Sequence, residues 1–243
     1  MITGTEIRNR LGECLDYSFH PGTRADALVI LGHGLTGNKD RPQLVALADG
    51  LSTHGWPCLR ISFAGNGKSE GNFEDCCITK EVQDLQALLA VVPNDVKVAY
   101  LGHSMGGAVG VLTAARDLRI RCLISLAGMT HTAAFAEREF SEVTPDVGWI
   151  WDDPNFPLSS TLVDDLKAIE SIIPAAAAVT QPWLLIHGNA DEIIPIEDLR
   201  AAFEAATCEK RQLEIEGAGH SFDPASYPQL VVAAEQWLKS SFH

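Results

Sequence analysis

Positive charge is scarce in this sequence: 18 lysines and arginines stand against 32 aspartates and glutamates, a net charge of −14 with histidine neutral. So acidic a chain lacks the basic surface that phosphate backbones and anionic lipid headgroups attract, which disfavours nucleic acid and membranes as partners. Long apolar runs are missing too. None approaches the ~18 residues needed to cross a bilayer, so no membrane insertion is expected. The opening MITGTEIRNRLGECLDY lacks the apolar stretch of a secretory signal, and a cytoplasmic protein is the expectation. The six cysteines, at 14, 58, 76, 77, 122 and 208, have no paired spacing. Neither a disulfide framework nor a thiolate metal site is indicated, and reduced thiols are expected. The adjacent Cys76 and Cys77 are the one redox or metal alternative, and no CxxC spacing or nearby histidine supports it.

What the chain does have is rhythm. The runs ALVILGHG (27–34), PCLRISFAG (57–65), VKVAYLGHS (96–104), CLISLAG (122–128), PWLLIHG (182–188) and RQLEIEG (211–217) read as strands. Most are continuously apolar, as strands covered on both faces are, and nearly all end in glycine. Segments with helical periodicity separate them, at 41–55, 79–92, 105–118, 196–207 and 226–242. Such alternation predicts an α/β protein with a doubly wound, mostly parallel sheet. The first ~20 residues add an antiparallel edge hairpin. At 243 residues the chain can bury roughly 70–75% of its unfolded surface, enough for one α/β domain carrying an insertion.

One interval breaks the rhythm. Residues 129–181 are far longer than a usual crossover and carry Phe135, Phe140, Trp149, Trp151 and Phe156. Helical pieces are expected at 132–141 and 160–173. The segment is too apolar to be a disordered linker and reads as an insertion on the sheet.

The chemistry starts at LGHSMGG (101–107), where Ser104 stands between Gly102 and Gly106 at the end of an apolar run. A strand turning sharply into a helix strains the turning residue, and glycines two positions to either side remove the clashes. This is the G-x-S-x-G nucleophile elbow, in the strand–turn–helix context the motif needs. An elbow serine requires a base and an orienting acid, which in this architecture follow in the order serine, acid, histidine. Asp191, in HGNADEIIP, lies 87 residues after the serine; His220, in GAGHSF, lies a further 29 on. Glu192 is the rival acid, although Asp191 is nearer the strand end. His20, His54, His131 and His243 read as surface or loop residues, and His103 and His187 as structural. The tetrahedral oxyanion of acyl transfer needs two backbone N–H donors, typically worth about 3–4 kcal/mol each. The residue after the serine supplies one, Met105. The loop LGHGLTGNKD (31–40) supplies the other through Leu35, with His33 pinning that loop by hydrogen bonds.

Together HGLTGN, FAGNGKSEG, GHSMGG, HGNADEIIP and GAGHSF resemble the α/β-hydrolase superfamily over essentially the whole chain. Within it, the chain is similar to serine esterases such as feruloyl (cinnamoyl) esterases and monoacylglycerol lipases. The resemblance implies an α/β-hydrolase core at 1–128 and 182–243 built on an eight-stranded sheet. It implies a small, largely helical cap at 129–181 inserted after the sixth strand, and neither cofactor nor metal. Relatives with an aspartate or cysteine nucleophile are disfavoured by Ser104.

The expected reaction is ester hydrolysis through an acyl-enzyme: Ser104 attacks, His220 moves the proton, and Asp191 orients the imidazole. Activity should fall on acidification through about pH 6–7, where an ordinary imidazole gains its proton. Residues 129–181 hold nine acidic and two basic residues, half of the chain's net charge, so strongly anionic substrates such as acyl-CoA and free dicarboxylates are disfavoured. Trp149 and Trp151 either wall an apolar or aromatic acyl pocket for a small-molecule ester or pack the insertion onto the body. Peptidase and carbon–carbon hydrolase chemistry on the same fold, and a non-catalytic receptor, remain alternatives at this point.

Overall fold

Seven strands form a single sheet in the order β1-β3-β2-β4-β5-β6-β7 in the computed structural model, which describes residues 4–242. Met1–Thr3, the first residues of the N-terminal expectation, and His243 lie outside the described residues. The strands are β1 (Tyr17–His20), β2 (Ala27–Gly32), β3 (Cys58–Ile61), β4 (Lys97–His103), β5 (Ile120–Leu126), β6 (Trp183–Gly188) and β7 (Lys210–Ile215). All neighbours are parallel except β1, which pairs antiparallel with β3.

Eight strands were expected and seven form, because the N-terminal hairpin does not. Upstream of β1 only the isolated bridge Arg8–Cys14 remains. The Asn9 side-chain oxygen accepts from the amides of Leu11 and Glu13, each at 3.0 Å, so the chain curls at that point instead of extending. An asparagine that bonds its own downstream backbone offers an alternative to a sheet ladder. Each later strand accordingly counts one lower than expected, and the insertion follows β5.

Eight helices cover the sheet and its edge. On one face lie α1 (Pro42–Thr53) and α8 (Tyr227–Ser241); Leu44, Leu47, Leu230 and Leu238 pack there on Val29, Leu31 and Leu101. On the other face lie α2 (Ile78–Val91), α3 (Met105–Ala114) and α7 (Ile196–Ala205), over Leu28, Ile30, Tyr100 and Leu185. Alternate residues of β2 therefore serve both layers, which is why its sequence is apolar without a break. Residues 129–181 form α4 (Thr132–Phe140), a 3-10 turn (Ile150–Asp152), α5 (Ser160–Ile169) and α6 (Ile173–Ala178). The single helix expected over 160–173 breaks at Glu170, whose φ is +62°, and α6 restarts with Pro174 in its first turn. Phe135, Phe140, Ile150, Leu162 and Leu166 are buried in the same cluster as α2 and the strands, so this segment shares the main core.

All six cysteines are free thiols. Cys76 Sγ donates to the Ala64 carbonyl at 3.1 Å, and burial pushes the Cys77 thiol up to about 11. Neither behaves as a reactive thiolate. Among the described residues no helix is long and apolar enough to cross a membrane, and no three His, Cys, Asp or Glu side chains gather as a metal set.

Candidate active site

Registration of the parallel strands decides which loops meet. Gly32 of β2 pairs with Gly102 of β4, His103 of β4 with Leu126 of β5, and Gly188 of β6 with Ile215 of β7. The carboxyl ends of β2, β4, β6 and β7 thus share one rim of the sheet, where ligands of open α/β sheets bind.

At that rim a single residue, Ser104, joins β4 to α3. Its φ of +55° and ψ of −121° are strained for any residue with a Cβ. The turn persists because its backbone is tied on both sides. The Ser104 amide donates to Leu126 O at 2.9 Å, and Ser104 O accepts from the amides of Gly107 (2.8 Å) and Met129 (3.1 Å). The flanking glycines are required by close approach. A Cβ on Gly102 would lie 2.2 Å from Gly106 O, and one on Gly106 would lie 2.4 Å from His33 O.

The Asp191 side chain is fully buried in the loop after β6. Its Oδ1 accepts from the amides of Ile193 and Ile194, both at 2.9 Å. Its Oδ2 accepts from His220 Nδ1 at 2.9 Å and lies 3.1 Å from His187 Nε2. Burial pushes this carboxyl up, but the hydrogen bonds from His187 and His220 and the Ile194 amide hold it well below the usual carboxylate range. The residue is ionised under all ordinary conditions. His187 Nε2 also bonds Ile194 O at 2.9 Å. Facing two acceptors, that nitrogen carries its hydrogen. Sequence reasoning took His187 as merely structural; the signal it held was the four-residue spacing to Asp191.

His220 sits in the loop after β7. Its backbone carbonyl accepts from His103 Nε2 at 2.9 Å, so the histidine beside the serine holds the loop that carries the second imidazole. Neither Ser104 Oγ nor His220 Nε2 has a hydrogen bond within the described residues, and both residues line one cleft of about 280 Å³. A serine–histidine contact left open in the free protein does not disqualify the pair. The rival acid, Glu192, forms neither a hydrogen bond nor an ion pair with His220 among the described residues.

The loop 33–41 forms the opposite wall. His33 Nδ1 donates to Gly34 O at 2.8 Å, and the Phe63 amide donates to its Nε2 at 3.0 Å, which fixes one neutral tautomer and pins the loop as expected. The Leu35 amide has no partner among the described residues, and Leu35 lines the cleft. Met105 is the first residue of α3, where no helical turn can use its N–H. Trp151 lines the cleft, half-exposed, with Nε1 donating to Glu139 Oε2 at 3.0 Å. Trp149 does not line it and is half-exposed elsewhere. Phe135, Ile193, Arg41 and Gln43 line it as well; Ile193 belongs to HGNADEIIP, whereas Arg41 and Gln43 lie in a helical segment that carries no motif.

Two buried histidines give the site a pH dependence of its own. Burial lowers His33 to about 4 and His103 to about 3. Both stay neutral in the folded chain while the unfolded chain protonates them near 6.5. Stability from these groups is fully present above the unfolded value and is lost as pH falls from about 6.5 toward 4. For His33 alone the loss is on the order of 3 kcal/mol by pH 4. Urea midpoints at pH 7.5, 6 and 5 should fall in that order. A midpoint flat over this window would show that the two imidazoles are not held neutral.

A family profile of the alpha/beta hydrolase fold matches residues 27–154, more than half of the chain, and the chain belongs to that family. It is 28% identical over 227 residues to an uncharacterized protein of Mycobacterium tuberculosis, covering 92% of this chain and 72% of that one. It is 24% identical to a monoacylglycerol lipase of Mycolicibacterium smegmatis, covering 80% and 81% of the two chains. Among solved structures it is similar to Est1E from Butyrivibrio proteoclasticus with ferulic acid bound, with a TM-score of 0.87, 25% identity, and 98% and 99% of the chains covered.

Proposed function

We propose that this protein is a serine hydrolase of carboxylic esters, with Ser104 as nucleophile, His220 as general base and acid, and Asp191 as the orienting carboxylate. One observation carries the reading. His220 gives Nδ1–H to a buried carboxylate, while its other nitrogen and Ser104 Oγ are left unspent in a common cleft beside the free Leu35 amide. Attack on an ester carbonyl transfers the serine proton to His220 Nε2. The amides of Leu35 and Met105 take the oxyanion, His220 protonates the departing alcohol, and water then releases the acid. Residues 129–181 act in this reading as a cap over a core of 1–128 and 182–243, and Trp151 with Phe135 makes an apolar wall. The acyl groups that fit are small to medium and uncharged or aromatic. The esterase and lipase relatives, and ferulic acid in Est1E, support this choice of substrate.

Labelling with a fluorophosphonate, followed by peptide mass mapping, tests the nucleophile; the adduct is expected on the peptide that contains Ser104. Rates on p-nitrophenyl esters of increasing chain length, methyl ferulate and a monoacylglycerol test the substrate class. Indifference to all of them would end the ester reading.

His187 acts as a positioning residue here. With phenylalanine in its place, Asp191 Oδ2 keeps only His220 as a side-chain donor. Turnover by His187→Phe should fall by roughly tenfold or more, the scale seen when an orienting partner is lost. The less satisfied carboxylate also pulls harder on the imidazolium, so the acidic limb of kcat/KM should move to higher pH. His187→Gln, which keeps an N–H donor at that reach, should recover most of the rate. An unmoved pH profile in both variants would reduce His187 to packing.

A further inference from the structure

Arg41 is the one side chain in the candidate cleft that carries a full charge at neutral pH, apart from any charge on its histidines. In a chain with 32 acidic residues it makes no ion pair among the described residues. Only one of its nitrogens is in use: Nη2 donates to Thr36 O at 2.9 Å and lies 3.3 Å from Thr36 Oγ1. Nε and Nη1 have no partner among the described residues. Its charge is felt inside the site, where it lowers both His33 and His103. Two residues along the chain, Gln43 is 1% exposed, lines the same cleft, and leaves Nε2 without a hydrogen-bond partner. An orphaned buried donor is costly unless an acceptor arrives, and the guanidinium in the same cleft has N–H groups to spare for the same acceptor.

No carboxylate of the protein fills that place. The cleft lining contains no aspartate or glutamate. An outer groove of about 590 Å³ shares Thr36, Arg41 and Trp151 with the cleft. Of the two acids there, Asp40 is bonded to Lys39 and Arg60, and Asp153 Oδ1 accepts from Asn155. Arg41 therefore stands at the junction of the inner cleft, which holds Ser104, and the outer groove. A group meeting it lies toward the outward end of a bound substrate.

We propose that Arg41, backed by Gln43, binds a single carboxylate carried on the alcohol part of the ester, so that the product alcohol is a hydroxy acid. The proposal rests on the ester-hydrolase reading and adds the substrate class. The unspent N–H groups of a guanidinium point in fixed directions and give a carboxylate a charge-assisted bond that a rotating ammonium does not match in geometry. The acyl part remains uncharged, against Phe135 and Trp151. The acidic segment 129–181 still opposes polyanions at long range, whereas a monoanion gains an unpaired cation at short range. Selection for one charge in one place reconciles an acidic surface with an unpaired arginine inside it.

Matched esters differing only in that charge provide the test: 4-(butyryloxy)benzoate against its carboxamide, with mono-p-nitrophenyl glutarate against its amide for a charge on the acyl side. The carboxylate is expected to raise kcat/KM by roughly tenfold or more in the first pair, the scale of one charge-assisted pair. The preference should shrink with added salt. Arg41→Met should abolish it, the kcat/KM ratio of carboxylate to carboxamide ester falling to about one whatever the two absolute rates become; Arg41→Lys should keep part of it. Equal rates within the first pair, a preference unchanged in Arg41→Met, or a preference confined to the glutarate would overturn the proposal.

Calorimetric binding of 4-hydroxybenzoate against 4-hydroxybenzamide separates this failure from failure of the hydrolase reading. Tighter binding of the benzoate, lost in Arg41→Met, upholds the carboxylate site even if no ester turns over. Ester turnover without any preference for charge leaves the hydrolase reading standing and removes the carboxylate site.

Discussion

Ser104→Ala is expected to lose at least about 10⁴-fold in turnover, the loss typical of a removed triad member. The same variant should melt within about 2 °C of the native protein, a shift worth less than 1 kcal/mol for a chain of this size. These two expectations have separate physical origins. Ser104 Oγ has no hydrogen bond among the described residues, so removing it leaves no partner unsatisfied. What holds the elbow is backbone: the Ser104 amide on Leu126 O, and Ser104 O receiving Gly107 and Met129. Alanine keeps all three bonds. It also bears the +55° φ at the same cost, because the strain comes from Cβ and not from the hydroxyl. Initial rates on a p-nitrophenyl ester, with a thermal melt by circular dichroism, read both quantities. Turnover at the native rate in a folded Ser104→Ala protein would remove the nucleophile assignment outright.

Gly106→Ala should be strongly destabilising. The added carbon would lie 2.4 Å from His33 O, 3.0 Å from Gly32 O and 3.1 Å from His33 C. All three are backbone atoms, which cannot swing aside as a side-chain end can. Either α3 withdraws from the end of β2, or the turn beginning at His33 moves. Overpacking against a rigid neighbour costs about 3 kcal/mol, which lowers the melting temperature by roughly 6–12 °C at this chain length. The second route also displaces the Leu35 amide, two residues after His33, and a displacement approaching 1 Å costs about 10² in rate. Residual activity measured well below the melt should therefore fall too. Gly219→Ala is the stability control: its Cβ would meet nothing closer than Ala190 O at 3.8 Å, and its melt should match the native protein. Equal melts for the two variants would mean that strand and helix are not in contact at the elbow.

The strands and flanking helices were legible because their signals are local. Continuous apolar runs marked β2, β4, β5 and β6, and glycines marked where they end. The miscount arose where a side chain competed with the sheet: Asn9 bonds the amides of Leu11 and Glu13, and a hydrophobicity pattern does not register that. In the candidate site, Ser104, Asp191 and His220 stood out because each occupies a motif at a strand end. His187 was underrated. Its partner is four residues away in sequence, yet the bond forms only because the loop after β6 turns back over the strand. Trp149 and Trp151 were indistinguishable in sequence; the left-handed backbone at Trp151 and its bond to Glu139 bring that ring to the cleft, and Trp149 stays outside it.

Period, punctuation and motif by themselves determined the class of fold and marked the elbow serine and the candidate acid and base in chain order, because each depends on residues near one another along the backbone. Tertiary structure alone decided that one carboxylate serves two imidazoles, and that the histidine next to the serine holds the loop of the other. It alone left the one arginine that lines the cleft without a counter-charge among the described residues. Those outcomes follow from which strand ends share a rim and which side chains are shut away from water, and neither quantity is written in any one stretch of the chain.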